Sequence, residues 1–431
     1  MKVAIVVQRY GADINGGAEQ HARYIAEHLA PHVQVEVLTT CAHQDYISWK
    51  NQLPEGMEIV HGIPVRRFRN AVERHPVEFA RWSQKVFTET HSVNDELAWL
   101  EAEGPTSPAL IEYIRKHEAD YDFFLFFSFR YHHSFHGARA VPAKAILVPT
   151  AERDGALGLG IYPPVFRGVR ALMYNSPEER RLIQSVSGNH DVPGVVVGIG
   201  SAIPDRPEPE RFRQKYGIPG RFALYVGRID QNKGCRELFS FFLKGLSALP
   251  RELKLVLIGK ALLPIPEHPR VQHLGFVDDQ DKFDALAAAD LLLMPSYYES
   301  LSMVALEAWA LGKPVLANGR CEVLRGQCIR SRGGLYYETD VEFIETLRAI
   351  TGSRSLNAAF GDNGRQFFQQ HYAWPVIEQK YLDMFQRLNE ENAYGLTKRM
   401  EAEPGFLARH RRNLRPAADV LTDLLSGPVL Q

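Results

Sequence analysis

Short, unbroken apolar runs recur along this chain, each followed by a polar loop and then by apolar residues at helical spacing. Val3-Ala4-Ile5-Val6-Val7 is the first. A strand that is apolar at every position, rather than at alternate ones, is covered on both faces, as in a parallel sheet sandwiched by helices. Gln8 to Gly17 then forms a polar loop ending in Asn15-Gly16-Gly17, and Ala22, Ile25, Ala26 and Leu29 mark one face of a helix over Ala18–Leu29. Pro31 stops that helix, and Val33–Leu38 reads as the next strand. The crossover between two parallel strands joined in this way is right-handed.

The pattern occurs as two series. In the first, Pro108–Lys116 reads as a helix, and Tyr121–Phe127, Ala145–Val148, Ala171–Tyr174 and Val195–Val197 read as strands. Asn175-Ser176-Pro177-Glu178-Glu179 has the form of a helix start, with Ser176 as N-cap and Glu179 completing a capping box. Ile203–Pro219, rich in proline and charge, reads as a linker. The second series comprises strand Phe222–Val226, a helix from Gly234 to about Leu249, strand Leu253–Ile258 and a helix near Lys282–Ala289. Strand Leu291–Met294, helix Met303–Leu311 and strand Pro314–Ala317 follow. The expected fold class is α/β, with two doubly wound Rossmann-like domains facing each other across a cleft that receives the carboxyl ends of the strands. The expected division is a first domain over 1–202, a linker over 203–219, a second domain over 220–375, a helix over 376–390 and a basic tail over 391–431.

Composition removes several classes. Lys+Arg number 50 against 51 Asp+Glu, so bulk charge gives no grip on nucleic acid. Cys41, Cys235, Cys321 and Cys328 form no C-x-x-C, which removes a disulfide scaffold and a structural cysteine–zinc site. No stretch approaches the ~18–20 apolar residues of a membrane span, and Val3–Val7 ends at Gln8-Arg9, too soon for a secretory signal. The expectation is a cytoplasmic protein with reduced thiols.

Three polar stretches follow apolar strands at the expected rim. Gly227-Arg228-Ile229-Asp230-Gln231-Asn232-Lys233-Gly234 sets two cations between glycines on a loop that opens a helix. A guanidinium fork, an ammonium and the free N–H groups of a helix start together suit a diphosphate; a surface loop with two ordinary charges is the plainer reading. Pro295-Ser296-Tyr297-Tyr298-Glu299-Ser300-Leu301-Ser302 leads into a helix containing Glu307. Glu307 stands in an apolar helix and needs a partner, either a sugar or ribose diol or a nearby Lys or Arg. Asn15-Gly16-Gly17 offers backbone N–H groups to a phosphate, but has neither G-x-G-x-x-G nor Walker A spacing.

Together these stretches resemble the family 4 (group 1) retaining glycosyltransferases of GT-B fold, over Met1 to about Leu388. The most specific part is Glu299-Ser300-Leu301-Ser302 through Glu307, an E-x7-E pattern followed by Gly312-Lys313-Pro314-Val315. Gly227-Arg228 with Lys233-Gly234 resembles the family's phosphate loop, and Leu274-Gly275-Phe276-Val277 the turn beside the base. His371-Tyr372-Ala373-Trp374 resembles the element before a last helix that crosses back to the first domain. The resemblance implies that Arg228 and Lys233 hold the diphosphate and stabilise the departing nucleotide, that Glu299 binds the donor sugar, and that Glu307 binds ribose hydroxyls. It further places Gly16 and Gly17 at the diphosphate or donor, and Gly227, Gly275, Phe276, Val277, Ser300, Leu301 and Ser302 around the substrate. The first domain then serves the acceptor, a glycan or a lipid-linked one, and the nucleotide-diphosphate sugar is a co-substrate with no cofactor and no catalytic metal. The product belongs to surface polysaccharide or glycoconjugate synthesis.

One departure concerns the first domain. Where such enzymes commonly carry a His, this chain has Pro149-Thr150-Ala151-Glu152-Arg153-Asp154, so Glu152 takes that place with Asp154 beside it. A carboxylate there accepts from a sugar hydroxyl or steadies a developing cation. Two alternatives stay open: another enzyme class on the same architecture, a sugar-nucleotide epimerase or a phosphorylase (no motif argues for the lysine that pyridoxal phosphate needs), and, made plausible by this departure, an inactive nucleotide-sugar-binding subunit.

Three other stretches have plainer readings. Asp279-Gln280-Asp281 reads as helix capping rather than a metal site. His132 and His136 are four apart on a helix but show no third ligand in the sequence. Arg66-Arg67-Phe68-Arg69 through Trp82 and Lys85, and the tail around Arg409, interleave cations with aromatics or cluster them. Both fit a peripheral contact with anionic lipid at the inner membrane face, or ordinary solvated surface.

Overall fold

The computed structural model describes residues 1–14, 16–44 and 47–391. The first sheet comprises β1 (Lys2–Val6), β2 (Gln34–Thr40), β3 (Gly56–Val60), β4 (Ile63–Phe68), β5 (Phe123–Phe127), β6 (Ala145–Val148), β7 (Ala171–Tyr174) and β8 (Gly194–Val196) in the order β3-β4-β2-β1-β5-β6-β7-β8. All neighbours are parallel except the hairpin β3–β4. The second sheet, wholly parallel, comprises β9 (Phe222–Val226), β10 (Lys254–Ile258), β11 (Val271–His273), β12 (Leu291–Met294), β13 (Val315–Asn318) and β14 (Gly334–Tyr337) in the order β11-β10-β9-β12-β13-β14.

Helices cover both sheets. The first lobe carries α1 (Gly17–Leu29), α2 (Pro76–Thr88), α3 (Val93–Glu103), α4 (Pro108–Lys116), α5 (His132–Ala140), α6 (Pro163–Gly168) and α7 (Pro177–Ser187). Then come α8 (Pro209–Tyr216), α9 (Cys235–Lys244), α10 (Asp279–Ala288), α11 (Met303–Ala310), α12 (Glu322–Ser331), α13 (Asp340–Gly352), α14 (Arg354–His371) and α15 (Trp374–Glu390).

The unbroken apolar strands behave as their composition requires. In β1 and β5, Val3, Ile5, Phe123, Leu125 and Phe127 enter one buried cluster, while Ala4, Val6, Phe124 and Phe126 enter another on the opposite face. The same alternation splits β9, with Phe222 and Leu224 on one side and Ala223 and Tyr225 on the other. Each fully buried Phe or Leu contributes roughly 1.5–3 kcal/mol, so these strands are held from both faces.

Two expectations need correction. Part of the stretch read as linker is helical: α8 packs on α10, with Phe212 fully buried 5.7 Å from Phe222, and with Arg211 Nε donating to Asp284 at 2.6 Å. Pro209 at the helix start and Gly217 in the left-handed conformation at its end account for the element. The cationic run Arg66-Arg67 is not an open face: Arg66 pairs with Glu36 at 3.1 Å, and Arg67, 2% exposed, pairs with Glu58 and donates to Tyr10 O at 2.7 Å. The tail beyond Glu391 lies outside the described residues.

The last helix reaches back to the first lobe. Trp374 stacks on His28 of α1 with centroids 3.5 Å apart, Phe385 stacks on Phe123 at 5.5 Å, and Arg170 donates to Leu388 O at 3.1 Å. Among the described residues, no helix is long and apolar enough to cross a membrane, and the four cysteines are buried free thiols.

Candidate active site

The carboxyl ends of β1, β5, β6, β9 and β12 converge on a cleft between the lobes. A cavity of about 430 Å³ there is lined by Gln8, Gly17, Ser128, Glu152 and Asp154 from the first lobe and by Arg228, Lys233, Glu299, Ser300 and Leu301 from the second. A second cavity of about 540 Å³ shares Arg228 and is lined by Gly16, Gly227, Phe276, Val277 and Lys282. Most of the sequence-derived residues therefore line two spaces that share Arg228, whereas Gly275, Ser302 and Glu307 line neither.

The loop after β9 owes its shape to glycine. Gly227 has φ +149° and Gly234 φ +70°, and a Cβ on Gly234 would run into the carbonyl oxygen of Pro295. Asp230 organises the loop from within: its Oδ1 accepts from Lys233 N at 2.8 Å, and its Oδ2 pairs with the Arg228 guanidinium on the rim. Burial pushes the Asp230 carboxyl up, but these hydrogen bonds and cations hold it below the usual value. Lys233 Nζ donates to Glu299 Oε1 at 2.6 Å. Burial pulls this ammonium down, yet the Glu299 carboxylate outweighs burial and leaves it above its usual value.

The two glutamates of E-x7-E have different surroundings. Glu299 lies on the loop at the cleft. Glu307, 2% exposed in α11, accepts from Lys282 Nζ through Oε1 at 3.0 Å, while Oε2 is buried without a partner. Burial raises the Glu307 carboxyl, and Lys282 only partly offsets it. The salt bridge set out as the plainer reading is thus present, and one buried oxygen is left without a partner. Ser302 differs from its expected place at the substrate: it is 3% exposed and caps α11, accepting from Ala305 N at 3.3 Å. Gly275, with φ +75°, accepts from Gly259 N at 2.7 Å and so fixes the turn carrying Phe276, which is 73% exposed.

On the first lobe, burial and the Glu299 carboxylate push Glu152 up to about 7, against the pull of Lys233. Asp154 accepts from Arg130 at 2.9 Å. Gly16 is the N-cap of α1 and abuts the Glu19 carboxylate, which pairs with Arg9 at 2.6 Å. Arg9, Glu19, Ser128 and Arg130 escaped the sequence reading. Their signal is the one used elsewhere: each of Arg9, Ser128 and Arg130 stands just past an apolar strand. Ser128 and Thr150 adopt φ +65° and +48°, unusual for residues with a Cβ, and their hydroxyls meet at 2.6 Å at the ends of β5 and β6. Strain of this kind gathers at functional sites.

In the D-x-D stretch, the cap is the preceding Asp278, which accepts from Asp281 N at 2.8 Å. Asp281 accepts from Tyr216 Oη at 2.6 Å, whereas Asp279 lines the second cavity, so the two carboxylates of the motif serve different neighbours.

Parts of the chain are similar to known proteins. Residues 220–350 match the family described as glycosyl transferases group 1. The chain is 30% identical over 168 residues to a D-inositol 3-phosphate glycosyltransferase of Corynebacterium diphtheriae, covering 34% of this chain and 39% of that protein. It is 24% identical over 365 residues to a GDP-mannose-dependent monoacylated alpha-(1-6)-phosphatidylinositol monomannoside mannosyltransferase of Corynebacterium glutamicum, covering 74% and 88%. Against three of the curated relatives, the chain spans 27%, 39% and 34% of their length. Among solved structures, Anabaena HepE in complex with UDP-glucose superposes with a TM-score of 0.64 at 18% identity, covering 90% of this chain and all (100%) of that one. Sucrose-phosphate synthase of Thermosynechococcus elongatus superposes with a TM-score of 0.63 at 16% identity, covering 91% and 100%. The two facing Rossmann-like lobes are the GT-B fold of such structures.

Proposed function

Taking residues 220–350 as a group 1 glycosyl transferase domain, we propose that the protein transfers a sugar from a nucleotide-diphosphate sugar to an acceptor hydroxyl with retention at the anomeric carbon and without a catalytic metal. The acceptor is a glycan or lipid-linked glycan of surface polysaccharide or glycoconjugate synthesis. Its first lobe, 1–202, takes the acceptor; the second, 220–375, takes the nucleotide sugar; 376–390 ties them; and the reaction runs in the cytoplasm, at the inner membrane face for a lipid-linked acceptor.

The observation that carries this reading is the shared cleft. It sets Arg228 and Lys233 of one lobe against Glu152 and Asp154 of the other. The two cations and the start of α9 receive the diphosphate and stabilise the charge that develops as the glycosyl bond breaks, commonly the largest catalytic term. Val277 and Phe276 border the base, the free Glu307 oxygen takes a ribose hydroxyl, and Glu299 and Ser300 hold the sugar. Gly16 and Gly17 approach from the opposite lobe with bare backbone N–H groups. Glu152 faces the sugar where a carboxylate steadies positive charge at the anomeric carbon. Attack from the same face as the departing phosphate needs no covalent nucleophile.

Incubation with radiolabelled nucleotide sugars and an acceptor extract tests the proposal. Label in a glycan product, or slow hydrolysis of the donor, supports transfer. Epimerised free nucleotide sugar supports the epimerase, and nucleotide binding without turnover of any donor supports an inactive binding subunit.

A further inference from the structure

Behind the first-lobe half of the cleft, three side chains without a part in glycosyl transfer meet between α3 and α5. His132 and His136 lie on one face of α5 with ring centroids 4.5 Å apart. Glu101 of α3 brings its Oε1 to 3.3 Å from His136 Nε2 and 3.8 Å from His132 Nε2. One ligand atom from each residue lies within 4.8 Å of the others. Sequence spacing supplies the histidine pair but not the carboxylate, because Glu101 arrives from a separate helix.

We propose that Glu101, His132 and His136 form a binding site for a borderline divalent cation, zinc foremost, that braces α3 against α5. A tetrahedral zinc holds imidazole nitrogens at about 2.0–2.1 Å, which keeps neighbouring ligand atoms about 3.3 Å apart. The observed separations of 3.3 and 3.8 Å need only a small side-chain adjustment to match. His136 Nε2, the nitrogen that faces Glu101, is buried without a hydrogen bond among the described residues, and His132 is only 5% exposed. Two nitrogens with one carboxylate select zinc over magnesium or calcium, which take oxygen. The side chains of Glu101 and His136 are 49% and 24% exposed, so the cluster opens to solvent and a water completes the fourth position.

The brace has a target. Arg130 lies two residues before His132, pairs with Glu103 at 3.0 Å, two residues past Glu101, and reaches Asp154 in the cleft at 2.9 Å. A cation joining Glu101 to α5 fixes both ends of that arginine's support.

The experiment uses the full chain, stripped with a chelator, dialysed and titrated with zinc by calorimetry, with cobalt as a spectroscopic stand-in. The expected result is one equivalent of zinc per chain, a higher unfolding temperature on binding, and visible absorption of tetrahedral cobalt. Glu101→Gln and His136→Gln, both at partly exposed positions, weaken binding about tenfold or more while their metal-free unfolding matches that of the metal-free parent. Equal zinc binding by the parent and both variants overturns the site, as does no zinc binding at micromolar concentration. Magnesium binding as tightly as zinc also overturns it, since the imidazoles would then play no part.

Discussion

Lys233 donates to Glu299 Oε1 at 2.6 Å, joining the loop after β9 to the loop after β12 at the floor of the cleft. The pair fixes the ammonium before any substrate arrives, so a diphosphate meets a charge already in position. Replacing Lys233 by Ala removes that charge and leaves Glu299 facing Glu152, a like-charged neighbour. Donor turnover should fall by about 10²–10³-fold, as when one donor to a developing anion is deleted, and nucleoside diphosphate affinity should fall with it. Arg228→Ala should act in the same direction. Lys233→Arg should not restore activity, because a guanidinium fork does not replace a point charge in this space. Steady-state kinetics with calorimetric titration of nucleoside diphosphates checks this; unchanged affinity in both alanine variants would remove the phosphate role.

Glu152 gives a pH signature. With its carboxyl pushed up to about 7, chiefly by burial and then by Glu299, the free enzyme changes charge there within the working range. If the ionised form steadies the sugar cation, kcat/KM should drop as pH falls through about 7, since kcat/KM reports groups of the free enzyme. Glu152→Gln should lower kcat/KM and abolish that limb. A Gln variant that keeps the limb would assign it to another group.

The same residue predicts a stability effect of opposite sense. A carboxyl whose folded value lies above its ordinary one, about 4.5, loses folded-state stability as pH rises from 4.5 through 7 and bears the full penalty above 7. Glu152→Gln should therefore stabilise the chain at pH 8, by on the order of 1–3 kcal/mol, and should have little effect near pH 4. Denaturant midpoints at the two pH values provide the measurement. Stability gained where activity is lost is the usual trade-off at a functional site.

These predictions concern residues legible from sequence to different degrees. The loops after β9 and β12 were legible because an apolar run that stops abruptly at Gly227 or Pro295 marks a strand end, and the polar residues beyond it must face the rim. Local signals also located Ser176 and its helix. The same signals, Pro209 and Gly217, were present around α8, but the neighbouring prolines and charges made the whole stretch read as a linker; the buried Phe212 shows which signal prevailed. Relationships between distant segments were beyond reach. Nothing in the chain order tells that Lys282 takes one oxygen of Glu307, that Glu101 meets His136, or that Arg67 is buried beneath Tyr10, because each depends on how separate helices and strands pack.

The link between lobes supplies a last test. Arg330 of α12 donates to both oxygens of Glu178 of α7, at 2.6 and 3.0 Å, and Glu178 is 5% exposed. The geometry is bidentate and largely shielded, unlike the exposed Arg153–Glu322 pair at 3.1 Å, which should contribute little. Removing Arg330 leaves Glu178 with Arg181, which reaches one oxygen at 3.0 Å from a largely exposed position. Arg330→Ala should therefore destabilise the chain by about 1–2 kcal/mol, below the 3–5 kcal/mol of a fully buried broken pair, because Arg181 remains and water can enter. With α7 and α12 no longer tied, the lobes should separate more readily, so small-angle scattering should show a larger radius of gyration and the donor KM should rise. An unchanged scattering profile with an unchanged KM would place the whole restraint in α15, where Trp374 on His28 and Phe385 on Phe123 hold the lobes from the other side.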